Sequence, residues 1–197
     1  MPTTLQRLCV YCASNDGVRP EYLAAARAFG HAVAERGIAV AYGGGRVGLM
    51  GALADAALDA GGEVVGVMPH ALVEREAAHQ GLTRLHVVDS MHTRKAMLAD
   101  MSDAFVALPG GIGTLEEFFE TFTWAGLGVH RKPVGLFDVA GFWQPLVALL
   151  DHLGAEGFLR GSPRAWLVMQ DDAGRMIDAL GSFDPPVVRQ WVRPDET

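Results

Sequence analysis

The chain has 197 residues, half of them apolar and 20% charged, with a formal net charge of −7. That length fills one α/β domain and leaves too little for two, and the acidic balance argues against a nucleic-acid backbone binder, whose surface carries a basic surplus. No apolar run approaches the roughly 18 residues a membrane-spanning helix needs. The start, MPTTLQRLCVYC, lacks a basic segment leading into a long apolar stretch, so the expected location is the cytoplasm.

The first element in chain order is a strand, RLCVYC (7–12). It holds the only two cysteines, Cys9 and Cys12. Their odd separation places them on opposite faces of a strand, which predicts two reduced thiols rather than a redox or metal pair. A helix is expected over 20–36, then the strand IAVAY (38–42). This strand runs into YGGGRVGLMG and a helix over 47–60.

Gly43, Gly45 and Gly48 satisfy G-x-G-x-x-G, but that fingerprint normally follows the first strand. The next strand, EVVGVMP (63–69), ends in Met68 and Pro69 rather than in an acid for a ribose. No dinucleotide cofactor is therefore expected. Tight turning and close helix–sheet packing account for much of the glycine, and contact of Gly43 and Gly44 with some ligand stays open.

The strand RLHVV (84–88) leads into DSMHTRKAMLAD. Asp89 or Ser90 caps a helix over 91–102 and places Arg94 and Lys95 in its first turns. Two cations at a helix start oppose the macrodipole, and a nearby anion explains them better than solvation does. His79, His86 and His92 show no ligand spacing, and no metal is expected.

The strand DAFVAL (103–108) then breaks into LPGGIGTLEEFFE (108–120). Gly110, Gly111 and Gly113 are more glycine than a turn needs. With Thr114 in the first turn of a helix over 114–127, they point to a phosphate on the free N–H groups of the helix start. At helical spacing Leu115, Phe118, Phe119 and Phe122 pack on the sheet. Glu117, Glu120, Thr121 and Trp124 fall opposite, where a partner subunit is the economical cover. Acids in a first turn suit the macrodipole, yet a phosphate there would repel them, which leaves Glu117 for another part of the ligand.

Strands PVGLF (133–137) and AWLVMQ (165–170), with helices over 143–154 and 172–181, complete the pattern. The expected fold is α/β: a Rossmann-like, mostly parallel sheet of about seven strands with helices on both faces. One domain over 1–181 is followed by a proline-broken, loosely held tail, 182–197. In such sheets ligands bind at the carboxyl ends of the strands.

PGGIGTLEE fits a PGGxGTxxE motif, and MHTRKAML fits an M-H-x-R-K segment. In these and in VYCASNDG, GGGRVGLMG, MPHALVEREAAHQGLT and TWAGLGVHRKPVGLFD, the chain resembles the LOG (Lonely Guy) family. Those proteins are cytokinin riboside 5′-monophosphate phosphoribohydrolases, long mislabelled as lysine decarboxylases. It resembles molybdenum-cofactor carriers more distantly.

The resemblance implies an enzyme that cleaves a nucleoside 5′-monophosphate to free base and ribose 5-phosphate, and no cofactor or metal is expected. It also implies a homodimer with active sites at the interface. It makes Arg94 and Glu117 the catalytic pair and Gly111 to Thr114 the phosphate loop. Glu76, Lys95 and Thr123 become further substrate contacts. The family's C-G-S-S is here Cys12-Ala13-Ser14-Asn15, which keeps Ser14 and alters its neighbours. A general AMP or purine monophosphate nucleosidase and a nucleotide carrier without turnover remain the alternatives.

Overall fold

The computed structural model describes residues 5–73, 78–159 and 163–186. The expected site residue Glu76 and most of the expected tail, 187–197, lie outside the described residues. Seven strands form one sheet: β1 (Arg7–Tyr11), β2 (Ala39–Tyr42), β3 (Val64–Pro69), β4 (Arg84–Val88), β5 (Ala104–Ala107), β6 (Val134–Phe137) and β7 (Leu167–Gln170). Their order is β4-β3-β2-β1-β5-β6-β7, and every pairing is parallel, so the expected mostly parallel sheet is wholly so among the described residues.

The helices are α1 (Pro20–Glu35), α2 (Gly48–Asp59), α3 (His70–Val73), α4 (Met91–Met101), α5 (Ile112–Leu127), α6 (Gln144–Ala155) and α7 (Ala173–Ser182). Their starts follow local chemistry. Pro20 opens α1 with its fixed φ and no N–H to waste. The Ser90 hydroxyl accepts the Thr93 N–H at 3.1 Å to cap α4, and Asp172 does the same for Arg175 N–H at 2.9 Å in α7. Helix α5 ends at Gly128, in the left-handed conformation. The short α3 was not expected from sequence; four residues are too few to show a helical period.

Central strands carry apolar residues on both faces because helices cover both. On one face Leu8, Val10, Val40 and Val106 pack against Phe29 and Val33 of α1, Leu53 and Ala57 of α2, and Met176 and Leu180 of α7. On the other, Cys9, Tyr11, Ala41 and Phe105 meet Leu98 of α4, Phe118 of α5, Trp143 and Val147. Cys9 and Cys12 are buried free thiols in these two separate clusters, and burial pushes both thiols up, Cys9 to about 12.

The path of the chain reverses between β1 and β5. β1 leads outward on one side through β2, β3 and β4, and β5 leads outward on the other. Leu8 through Tyr11 sit in register with Ala104 through Ala107, so the loops after both strands leave the sheet side by side. A crevice at their carboxyl ends is the consequence. Among the described residues no helix is long and apolar enough to cross a membrane.

Candidate active site

The loops that leave β1, β2 and β5 meet over that crevice. Ala13 N–H donates to the Pro109 carbonyl at 3.2 Å, and Met50 N–H donates to the Ala13 carbonyl at 3.2 Å. Together they enclose a cavity of about 330 Å³, the size of a small-molecule site. Ser14 and Asn15 from the β1 loop, Gly43 and Met50 from the β2 side, Arg94 of α4, and Gly111, Gly113, Thr114 and Glu117 line it.

The start of α5 forms one wall. Its first backbone bond runs from Leu115 N–H to the Gly111 carbonyl at 3.0 Å, which leaves the amides of Ile112, Gly113 and Thr114 ahead of the helical ladder. No side chain caps this end. A Cβ built on Gly110 would come within 2.1 Å of Thr114 Oγ1, so that glycine is required by the inward packing of Thr114. Gly111 and Gly113 differ: a Cβ on either would meet nothing within 4 Å. Packing does not require glycine at these two positions, and their bare backbone faces the cavity.

Arg94 and Glu117 form the floor. Arg94 Nη2 lies 3.4 Å from Glu117 Oε1, with the two side chains only 8% and 13% exposed. Arg94 Nε is buried without a hydrogen-bond partner, and Nη1 reaches only Met91 Sδ, at 3.7 Å. A buried guanidinium with five donors and so few acceptors is suited to an incoming anion or hydroxyl. Burial pushes the Glu117 carboxyl up to about 7; Arg94 opposes that rise, and the neighbouring Glu116 adds to it.

A family model described as possible lysine decarboxylase matches residues 50–180. The chain is 46% identical over 180 residues to the cytokinin riboside 5′-monophosphate phosphoribohydrolase of Rhodococcoides fascians, covering 91% of each. It is 43% identical to the enzyme of that name, LOG, from Oryza sativa subsp. japonica, covering 91% of this chain and 74% of that one. The chain belongs to the LOG family. A molybdenum cofactor binding protein from Rippkaea orientalis, 21% identical with a TM-score of 0.66, covers 87% of this chain and 93% of its own, and shares the fold.

Of the site residues expected from the sequence, the cavity gathers Ser14, Gly43, Arg94, Gly111, Gly113, Thr114 and Glu117. Gly44 and Gly110 lie behind its wall: the missing Cβ of Gly44 faces Leu85 and Gly66, and Gly110 lines a smaller neighbouring cavity. Thr123 is exposed on α5 and does not line the cavity of its own chain.

Lys95 does not itself line the cavity. Its Nζ is held by Glu116 Oε1 at 2.6 Å and Glu120 Oε1 at 2.9 Å, so the anions that answer this cation at the start of α4 belong to α5. One expected face also needs correction. Thr121 is buried, with Thr114, Phe118 and Ala125, on the inner stripe of α5. Its hydroxyl donates to the Phe118 carbonyl at 3.0 Å, which satisfies the polar atom inside the helix and lets a threonine occupy a core position.

Asn15, Met50 and Met91 line the cavity as well. Sequence reading singled out Asn15 only as a departure from the family, and the methionines carry no signal that separates a cavity wall from core.

Proposed function

We propose that the chain hydrolyses the N-glycosidic bond of a cytokinin nucleoside 5′-monophosphate, giving free base and ribose 5-phosphate, with Glu117 and Arg94 as the catalytic pair. The observation that carries this reading is the Arg94–Glu117 pair buried in a cavity one helical turn from an uncapped, glycine-lined helix start. The amides of Ile112, Gly113 and Thr114 take the phosphate. The ribose then lies over Glu117, and cleavage leaves positive charge on its anomeric carbon. The Glu117 carboxylate stabilises that charge and orients or deprotonates the attacking water. A carboxyl raised to about 7 suits a base that works near neutrality. Arg94 holds its proton at any ordinary pH and acts by binding phosphate or sugar oxygens.

Lysine decarboxylation does not fit these residues. Pyridoxal phosphate chemistry needs an amine able to lose its proton for a Schiff base. Burial works to lower the Lys95 pKa, but the hydrogen bonds to Glu116 and Glu120 outweigh it, and the net direction is upward.

The reading includes a homodimer. Thr123 is exposed and Trp124 half-buried, and neither lines the cavity of its own chain; a second copy against α5 gives both a place.

The test is chromatography of products from isopentenyladenosine 5′-monophosphate, AMP and the matching nucleosides. Base release from the monophosphates only, reduced about 10³-fold in Glu117→Gln, is expected for loss of a general base. Release from AMP at the highest rate would move the assignment to a general purine monophosphate nucleosidase. Nucleotide binding without any base release would make the chain a carrier.

A further inference from the structure

The glycine at the end of β2 has a structural oddity. A Cβ on Gly43 would lie 2.1 Å from Arg94 Nη2, 3.2 Å from Arg94 Cζ and 2.9 Å from Met50 Cε. Every one of those atoms belongs to the far end of a flexible side chain, and none to backbone. Gly43 is also absent from the glycines with positive φ. Neither the local conformation nor backbone packing therefore requires glycine here, in contrast to Gly48 and Gly51 in the first turn of α2, where a Cβ would strike backbone at 2.2 and 1.9 Å.

The atom that position 43 leaves room for, Arg94 Nη2, is the same nitrogen that stands 3.4 Å from Glu117. We infer that Gly43 is a positioning residue: its missing side chain is the seat that holds the Arg94 guanidinium against Glu117. This rests on the catalytic reading of that pair. An alanine at 43 displaces Nη2 by more than 1 Å to reach ordinary van der Waals contact, and Arg94 and Met50 absorb the change while the backbone stays. A misplacement of that size in a catalytic group costs about 10²-fold in rate.

The test uses Gly43→Ala, Arg94→Ala and the double variant, with two readouts. The first is kcat/KM for base release from isopentenyladenosine 5′-monophosphate. The expected result is a loss of about 100-fold in Gly43→Ala at a nearly unchanged Tm. In the Arg94→Ala background, Gly43→Ala should cause no further loss.

The second readout is titration of Glu117 by carboxyl-labelled NMR, which needs no turnover. Glu117 is faced by Arg94 and Lys95 from α4, by Glu116 and Glu120 on its own helix, and by Cys9, Tyr11 and Cys12 from β1 and its end. Arg94 is the strongest of these that favour the carboxylate. Its displacement by Gly43→Ala should move the titration upward, Arg94→Ala should do the same, and the double variant should add nothing.

Full kcat/KM in Gly43→Ala, or a further effect of Gly43→Ala once Arg94 is gone, would overturn the inference. Failure of Gly43→Ala to fold while the double variant folds would support it, and failure of both would overturn it. If the wild type releases no base but the Glu117 titration follows this pattern, the functional reading falls and the seat stands.

Discussion

The two glycine-rich loops look alike in sequence and serve opposite purposes. In the loop after β2 and the first turn of α2 that follows it, most of the glycine is forced by the fold. Gly48, at φ +62, sits with the backbone of Ser14 and Asn15 where a Cβ would be, and Gly51 sits against the Arg46 carbonyl. In the loop after β5, only Gly110 is forced, by Thr114, while Gly111 and Gly113 open onto the cavity. Glycine that relieves a clash serves packing. Glycine with nothing beside it that also lines a cavity, as Gly111 and Gly113 do, leaves room for a ligand that the folded chain does not itself supply. Within the G-x-G-x-x-G pattern Gly48 builds the scaffold and Gly43 makes room for Arg94, and the phosphate reading belongs to the other loop.

Substitutions break this comparison most sharply at Gly51. Alanine there should cost about 3 kcal/mol of stability, since its Cβ meets fixed backbone, and urea unfolding measures it. A loss under about 0.5 kcal/mol would mean that the start of α2 relaxes away from the Arg46 carbonyl and that its glycines are not forced.

At the other loop the decisive group is charge. Ionisation of Glu117 should set the acid limb of kcat/KM, with activity falling about tenfold for each pH unit below about 7. The stability linkage runs the opposite way. The folded state binds the Glu117 proton more tightly than the unfolded chain, whose value is 4.5. The contribution is therefore full below 4.5 and is lost as pH rises through about 7. Denaturation of Glu117→Gln across that window should lack this downward slope; an unchanged slope would assign it to another group.

Gly113→Ala keeps the amide but places a methyl in the space proposed for the phosphate, and should raise the KM for the monophosphate about tenfold by lengthening one of its hydrogen bonds. Its Tm should hold or rise slightly, because alanine favours the helix. Unchanged KM would place the phosphate elsewhere. The smallest effect expected is at Ser90, whose side chain caps α4; Ser90→Ala should cost about 1 kcal/mol. That contrast sharpens the point about α5, whose start carries no such cap.

Much of the fold was legible because its signals are local. The strand expected over 7–12 spans Arg7–Tyr11, and the helix expected over 20–36 spans Pro20–Glu35. Period, glycine and capping residues act within a few positions. The helix expected from 114 begins at Ile112, since a glycine-rich first turn hides its period. Thr121 was misplaced for a related reason: spacing gives the relative angles of side chains around α5, and the neighbours decide which arc is buried.

Sequence by itself determined the α/β architecture, the loop with more glycine than a turn needs, and the acid and arginine that make Glu117 and Arg94 a candidate pair. Only the tertiary structure decided that these two buried side chains meet at 3.4 Å on the wall of a cavity, that Lys95 is held by Glu116 and Glu120, and that Gly43 makes room for a guanidinium. The reason is physical. Propensity and capping depend on near neighbours along the chain, whereas the space beside a missing Cβ and the partner of a buried charge depend on which elements pack together.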